Sequence, residues 1–135
     1  MQRIVRLKSD VLFTSYSAVG GGEESRGRYG KRFDLCDKSD MFGMPTFELA
    51  EGEMGRGAMN LALGKAGLSH DDIDLLVAGD LQNQCVASMH GILPFDIPYL
   101  GLYGACSTCT EGLLLSALAL SAGFETCAAV TSSHN

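Results

Sequence analysis

The chain has 135 residues, of which 46% are hydrophobic and 19% are charged. This balance is typical of a globular protein with one domain and a modest core, and it excludes an intrinsically disordered chain. The formal net charge of −6 argues against a protein that binds the nucleic-acid backbone, and we expect no basic patch for phosphate contacts.

Cysteine usage and apolar stretches indicate the compartment. Five cysteines at irregular spacings favour a reducing environment over a disulfide framework. The first ten residues have no apolar core, so we expect no secretory signal peptide. The longest weakly charged stretch, residues 107–124, is short and rich in Ser and Ala, so we expect no transmembrane segment.

The first third of the chain combines one predicted strand with a long connection. The apolar start of residues 11–18 predicts a strand. Residues 19–45 follow, dense in glycine and in alternating charge. Because such long connections are unusual in compact domains, we interpret residues 19–45 as a functional or interface excursion with a solvated, charged face.

A long helix is predicted next, with Thr46 as its N-cap and Gly67 as its C-terminal stop. Several glycines weaken this helix intrinsically, and we interpret them as a close approach to another backbone. Its apolar residues follow helical spacing and predict a single packed stripe. The stripe residues are Phe47, Ala50, Met54, Ala58, Leu61 and Ala62.

The rest of the chain alternates strands and helices. A capped turn at residues 69–72 precedes a continuous apolar run, typical of a strand buried on both faces. The alternation predicts an α/β fold with a mainly parallel sheet. Glu111 is the only charge of the last helix, which predicts that the helix after the cysteine is buried. The predicted elements are strands at 73–78, 99–103 and 126–132 and helices at 84–93 and 106–122.

Polar residues follow each of these predicted strands. Because the carboxyl ends of parallel strands meet at one edge of a sheet, we expect the polar clusters to form a ligand site there. The clusters are Gly79-Asp80, Gly104-Ala105-Cys106 with the adjoining Ser107 and Thr108, and Ser132-Ser133-His134-Asn135.

Cys106 is open to three interpretations. At the start of a helix, the dipole favours a thiolate, and free N–H groups can hold a carboxylate or an oxyanion. Cys106 is then a nucleophile, with His134 as its base. Cys106 and Cys109 also form a Cys-x-x-Cys pair as in thiol oxidoreductases, although a buried helix would turn Cys109 into packing. The third interpretation is a small residue in a tight turn.

Neither a metal site nor a single role for Asp80 follows from these residues. One Cys-x-x-Cys pair supplies only two ligands, so no metal centre is predicted. Asp80 is a candidate general base, a candidate cation ligand, or a turn residue bonded to nearby backbone N–H groups.

Two of these stretches, DDIDLLVAGD at 71–80 and GACST at 104–108, resemble the thiolase-like superfamily. Within it, the chain most resembles the stage V sporulation protein AD family of spore-forming bacteria. The matching stretches are the helix around Glu48 and Glu51, then DDIDLLVAGDLQNQ, then LYGACST and AAVTSSHN. The resemblance implies a single incomplete N-terminal thiolase-like domain over residues 1–135, part of the first half of a two-half fold.

The resemblance also implies a function. That family binds dipicolinic acid (pyridine-2,6-dicarboxylate) and supports its uptake into the forespore. It works on the cytoplasmic side, peripheral to the forespore or spore inner membrane, beside proteins of the same operon. Asp80 and Cys106 match the ancestral condensing-enzyme site. Asp80 would repel a free dianion unless it is protonated, held by local hydrogen bonds, or bridged through Ca²⁺ that accompanies the ligand, so we expect a cation-assisted or water-mediated role for Asp80.

Other functions remain open. In an acyltransferase or condensing enzyme, Cys106 would be the nucleophile, but the superfamily's remaining catalytic groups come from the second half of the fold. A structural remnant would bind nothing by itself. A half-fold would leave an open sheet edge and an unpaired helix face, so we expect a homo-oligomer.

Overall fold

The computed structural model of the chain describes residues 4–8 and 10–134. It has the α/β fold that the sequence predicts. We label its elements in chain order. They are β1 Val19–Gly20, α1 Gly22–Arg26, β2 Leu35–Cys36, α2 Phe47–Ala66, β3 Leu75–Gly79, α3 Val86–Ile92, β4 Tyr99–Gly101, α4 Thr108–Ala122 and β5 Cys127–Thr131.

The main sheet is parallel, with strand order β4-β3-β5. All five residues of the central strand β3 are buried, as its continuous apolar sequence predicts. Alternate side chains point to opposite faces. Leu76 and Ala78 therefore pack with α2 and α3, whereas Leu75 and Val77 pack toward α4. The domain thus has three layers, with the sheet in the middle.

The strand predicted at residues 11–18 is wrong. These residues have no regular structure and run beside α2, and the first strand begins only at Val19. The Ser15 hydroxyl donates to the carbonyl of Ala62 at 2.8 Å, and that of Ser17 to the carbonyl of Ala58 at 2.6 Å. The polar second half of the segment therefore binds helix carbonyls and does not join a sheet.

The excursion at residues 19–45 has more structure than its composition suggests. It contains β1, α1 and β2, and the two strands form a separate parallel pair. The pairing sets Val19 against Leu35 and Gly20 against Cys36. The excursion is thus a small folded unit attached to α2 through β1.

The boundaries of α2 are those that the sequence predicts. The Thr46 hydroxyl accepts a hydrogen bond from the backbone N–H of Leu49 at 3.3 Å, and Gly67 ends the helix at φ 68°. Of the predicted apolar stripe, Ala50 is buried and Phe47 is 51% exposed, whereas the other four residues, Met54, Ala58, Leu61 and Ala62, are half-buried. The buried residues are Ala50, Glu51, Gly52, Gly55, Met59 and Leu63.

Small residues explain which face of α2 is buried. A Cβ atom on Gly52 would lie 2.9 Å from the carbonyl oxygen of Ala87 and 3.2 Å from the backbone nitrogen of Gly91. Only glycine at these positions lets α2 and α3 approach so closely. This confirms the interpretation of the helix glycines as a packing feature for Gly52, but not for Gly64, which is exposed and has no atom within 4 Å of an added Cβ.

The helix after the cysteine exists, but the prediction that it is buried is wrong. Only Thr108, Gly112 and Ser116 of α4 are buried, where the helix packs on β3 and β5. The segment Ala105–Ala122 has a mean hydropathy of 1.3 and is apolar and long enough to cross a membrane by those criteria alone. Sequence hydropathy does not distinguish the packed face from the open one, because both faces are apolar.

Three leucines of α4 form an exposed stripe, Leu113, Leu114 and Leu118, each 40–49% exposed. We expect this stripe to pair with the same stripe of a second copy, since Glu111, the only charge of the helix, lies beside Gly104 in the preceding turn. Light scattering should then detect dimers or larger species. The Leu114→Glu/Leu118→Glu variant should be monomeric, because each partner would bury a charge.

The matched control is Leu12→Glu, which adds one charge at a leucine that is 82% exposed and outside α4. It should leave the association unchanged. A wild-type chain that stays monomeric at high micromolar concentration would contradict this prediction.

Candidate functional site at the carboxyl edge of the sheet

Asp80 follows β3 directly and is fully buried. Its Oδ2 accepts hydrogen bonds from the backbone N–H of Ser88 at 2.8 Å and from the Ser88 hydroxyl at 2.7 Å. Its Oδ1 accepts from the backbone N–H of Cys85 at 3.3 Å. The carboxylate therefore satisfies the first turn of α3, as an N-cap does. Of the three roles considered for Asp80, the backbone-bonded one describes its geometry.

The connection between β3 and α3 is strained. Gln84 and Cys85 both have positive φ, 57° and 72°, although neither is glycine. The Cys85 thiol donates to the carbonyl of Leu102 at 2.9 Å and joins this connection to the residue after β4. Burial, followed by the charge of Asp80, raises the pKa of the Cys85 thiol. Cys85 is therefore a structural residue of the edge, not a nucleophile.

Tyr99 belongs to the same buried region. Its hydroxyl donates to the carbonyl of Ala78 at 3.3 Å. Burial, with smaller effects of Cys85 and Asp80, raises the pKa of Tyr99 to about 12. The phenol therefore keeps its proton at any physiological pH.

Cys106 lies in a tight turn two residues before α4. The turn, Ala105–Ser107, begins with Ala105 at φ 47°, a conformation that non-glycine residues rarely adopt. Cys106 is exposed, and the Ser107 hydroxyl donates to the carbonyl of Gly104 at 2.6 Å. The sequence places the helix start at Cys106, whereas the helix begins at Thr108.

Cys109 is exposed too, so the expectation that packing would bury it is wrong. Both Cys106 and Cys109 are free thiols. No disulfide joins them among the described residues, and their exposure removes the objection to redox exchange that a buried helix would raise.

Thr108 connects the start of α4 to the end of β3. It is 2% exposed, and a Cβ atom on Gly79 would lie 2.8 Å from its methyl carbon. Among the residues that the structure describes, its hydroxyl has no hydrogen-bond partner. A buried hydroxyl without a partner costs free energy, so it would gain from a ligand that reached it.

His134 is 8% exposed and follows β5 at the same edge. Its Nε2 donates to the carbonyl of Asp40 at 2.6 Å, and its ring meets that of Phe47 edge-on at a centroid distance of 5.1 Å. Within residues 4–8 and 10–134, no hydrogen bond joins His134 or Asp80 to Cys106. Asn135, the last predicted site residue, lies outside the described residues.

Glu51 is the residue that the sequence did not assign to the site. It is 1% exposed, and no described group meets hydrogen-bond geometry with either carboxylate oxygen. Burial raises the pKa of Glu51, the nearby Ser132 hydroxyl lowers it, Asp80 raises it and His134 lowers it. These four side chains therefore lie together at the edge. The signal in the sequence for its burial is that Glu51 lies between two small residues, Ala50 and Gly52, in a close-packed helix.

The edge thus holds two kinds of polar group. Asp80 and His134 are bonded internally, whereas Glu51 and Thr108 have no partner among the described residues. Those residues contain no group of three or more His, Cys, Asp and Glu side chains that could hold a metal ion. Such an arrangement suits a ligand that brings its own donors and acceptors.

Comparison with known proteins relates these residues to a sporulation family. The sequence model for stage V sporulation protein AD matches residues 1–135. The stage V sporulation protein AD of Bacillus subtilis (strain 168) is 37% identical over 126 residues. The match covers 93% of this chain and 37% of that protein, so the chain spans well under half the length of that relative.

The bonds of Asp80 predict a structural cost. Asp80→Ala leaves the buried N–H and hydroxyl of Ser88 without acceptors, so we expect a loss of about 3 kcal/mol in the free energy of unfolding. Urea denaturation followed by circular dichroism measures it. Asp71→Ala, at a side chain that is 85% exposed, should change the same quantity by less than about 0.5 kcal/mol. Equal losses in the two variants would contradict the capping role.

The raised pKa of Glu51 predicts a pH-dependent stability. Because the folded state holds this proton more tightly than the unfolded chain does, Glu51 favours folding below its ordinary pKa of 4.5, and this contribution is lost as pH rises. Glu51→Gln cannot ionise, so it should be more stable than wild type at pH 8, and the difference should shrink toward pH 4.5.

Urea unfolding at several pH values provides the measurement. Glu125→Gln, at an exposed position, is the matched control and should follow the wild-type curve. A difference between Glu51→Gln and wild type that is constant with pH would show that Glu51 does not titrate as its burial requires.

Proposed function

The chain belongs to the stage V sporulation protein AD family, and from this membership we propose that it binds dipicolinic acid and supports its uptake into the forespore. The observation that carries the proposal is the set of buried, unpartnered polar groups at the carboxyl edge of the sheet, Glu51 and Thr108. The ligand would lie between these groups and the turn at Cys106.

The chemistry of dipicolinate supports this placement. Its two carboxylates need hydrogen-bond donors and positive potential, which the Thr108 hydroxyl and the N-terminal end of α4 can supply. Glu51 and Asp80 would repel a free dianion. Calcium bound to the ligand removes this repulsion, and Ca²⁺ accepts carboxylate and hydroxyl oxygens as ligands. We therefore propose calcium dipicolinate as the bound species.

The role proposed for Cys106 is to line the proposed dipicolinate site. A thiol nucleophile needs an adjacent base. His134 instead donates to Asp40, and Asp80 accepts from Ser88. We place the protein on the cytoplasmic side of the forespore membrane, peripheral to it and beside membrane proteins of the same operon.

Equilibrium dialysis of dipicolinate against the full chain tests the proposal. Binding should be tighter with calcium than with a calcium chelator. Thr108→Val removes one hydroxyl and keeps the shape, so it should weaken binding about tenfold. Thr110→Val makes the same change at an exposed position of α4 and should bind like wild type.

Equal affinities of Thr108→Val and Thr110→Val would contradict the placement, and the absence of binding would contradict the function. Mass spectrometry after incubation with acyl-CoA tests the alternative. An acyl adduct that disappears in Cys106→Ser would assign the site to an acyltransferase.

A further inference from the structure

Residues 26–32 form a positively charged segment at the surface, distant in sequence from the candidate site. We call it the basic segment. It carries four of the ten Lys and Arg residues of a chain whose net charge is −6. All four are exposed, and they are Arg26, Arg28, Lys31 and Arg32. The net charge of the whole chain therefore hides a local cationic patch.

Residues 26–32 contain no carboxylate, and the five carboxylates of residues 19–45 lie in sequence on either side of them. All five carboxylates of residues 19–45 have partners inside the protein. Two form ion pairs, with Arg26 and with Lys65, and three accept hydrogen bonds from backbone N–H groups. They are Glu23, Asp34, Glu24, Asp40 and Asp37. Each of these carboxylates keeps its negative charge and has an internal partner, and one of them pairs with Arg26 of the basic segment.

Three cations remain free within the part of the chain that the structure describes. No salt bridge there involves Arg28, Lys31 or Arg32. The guanidinium carbons of Arg28 and Arg32 lie 5.6 and 5.5 Å from the ring centroid of Tyr29, which is 56% exposed. These cation–π contacts hold two guanidinium groups beside one aromatic ring.

The shape of the basic segment indicates which kind of anionic partner it can bind. Small anions bind in concave sites, but these side chains project from a short turn, and other residues line the cavities at Asp74–Glu125 and at Gly52–His90. A flat anionic surface can contact all of them at once. Arginine binds phosphate through paired N–H groups, and tyrosine is favoured at the boundary between lipid headgroups and acyl chains.

We propose that the basic segment docks the protein on the anionic headgroups of a lipid bilayer. Arg28, Lys31 and Arg32 contact lipid phosphates, and Tyr29 inserts its ring between headgroups. The attraction is electrostatic and weakens as salt screens it. The assignment stands independently of dipicolinate binding, because the segment shares no residue with the candidate site.

Vesicle flotation with the full chain tests this docking. The protein should float with phosphatidylcholine vesicles that contain phosphatidylglycerol and not with phosphatidylcholine alone, and added sodium chloride should release it. Each removed charge should lower the partition coefficient about fivefold, so Arg28→Gln/Arg32→Gln should lower it about 25-fold. Circular dichroism verifies that the variant is folded.

Arg56→Gln is the control, because it removes one positive charge outside the segment. It should bind like wild type, whereas Arg32→Gln alone should bind about fivefold less. Equal losses in these two variants would overturn the proposal, as would equal binding to both kinds of vesicle. Retention on polyglutamate without vesicle binding would assign the segment to an acidic protein instead.

Discussion

One buried carboxylate, that of Asp80, holds the carboxyl edge of the sheet together. It ends the central strand and accepts the N–H and hydroxyl of Ser88 and the N–H of Cys85. These bonds fix the start of α3 against β3 and hold Cys85 in its left-handed conformation. Cys85 in turn donates to Leu102, which leads into the turn with Cys106. The start of α3 and the connection to the turn with Cys106 therefore depend on this single side chain.

The positions of Glu51 and Thr108 depend on places where two backbone segments lie unusually close together. Gly52 and Gly91 let α2 lie against α3, and this packing carries Glu51 into the interior. Gly79 admits Thr108 beside the end of β3. A larger side chain at Gly52 or Gly91 would push α2 and α3 apart, and one at Gly79 would collide with Thr108 and with the carbonyl of Leu102. The unpartnered oxygens of Glu51 and Thr108 are thus consequences of helix and sheet packing, not of local sequence at the edge.

Much of this fold could be predicted from the sequence, and the failures have physical causes. Local sequence signals predict the structure correctly where one residue sets the boundary of an element, as Thr46 and Gly67 do for the two ends of α2. They fail for residues 11–18, whose serines bind helix carbonyls, and for the exposed α4. The sequence predicts that Asp80 and His134 lie at the same edge of the sheet, because each follows a parallel strand. The position of Glu51 was not predictable, because its burial depends on glycines of two helices.

Asp80 and Glu51 show why burial alone does not identify a ligand-binding residue. Both carboxyl groups are almost completely buried at the same edge. Asp80 has three internal donors, so its free energy of burial is already compensated. Glu51 has no partner among the described residues, and burial raises its pKa. Glu51 can therefore still gain free energy by binding a proton, a cation or a ligand. The Thr108 hydroxyl can likewise gain free energy from a hydrogen-bond partner. The chemistry of this edge is therefore carried by the residues that folding leaves unsatisfied.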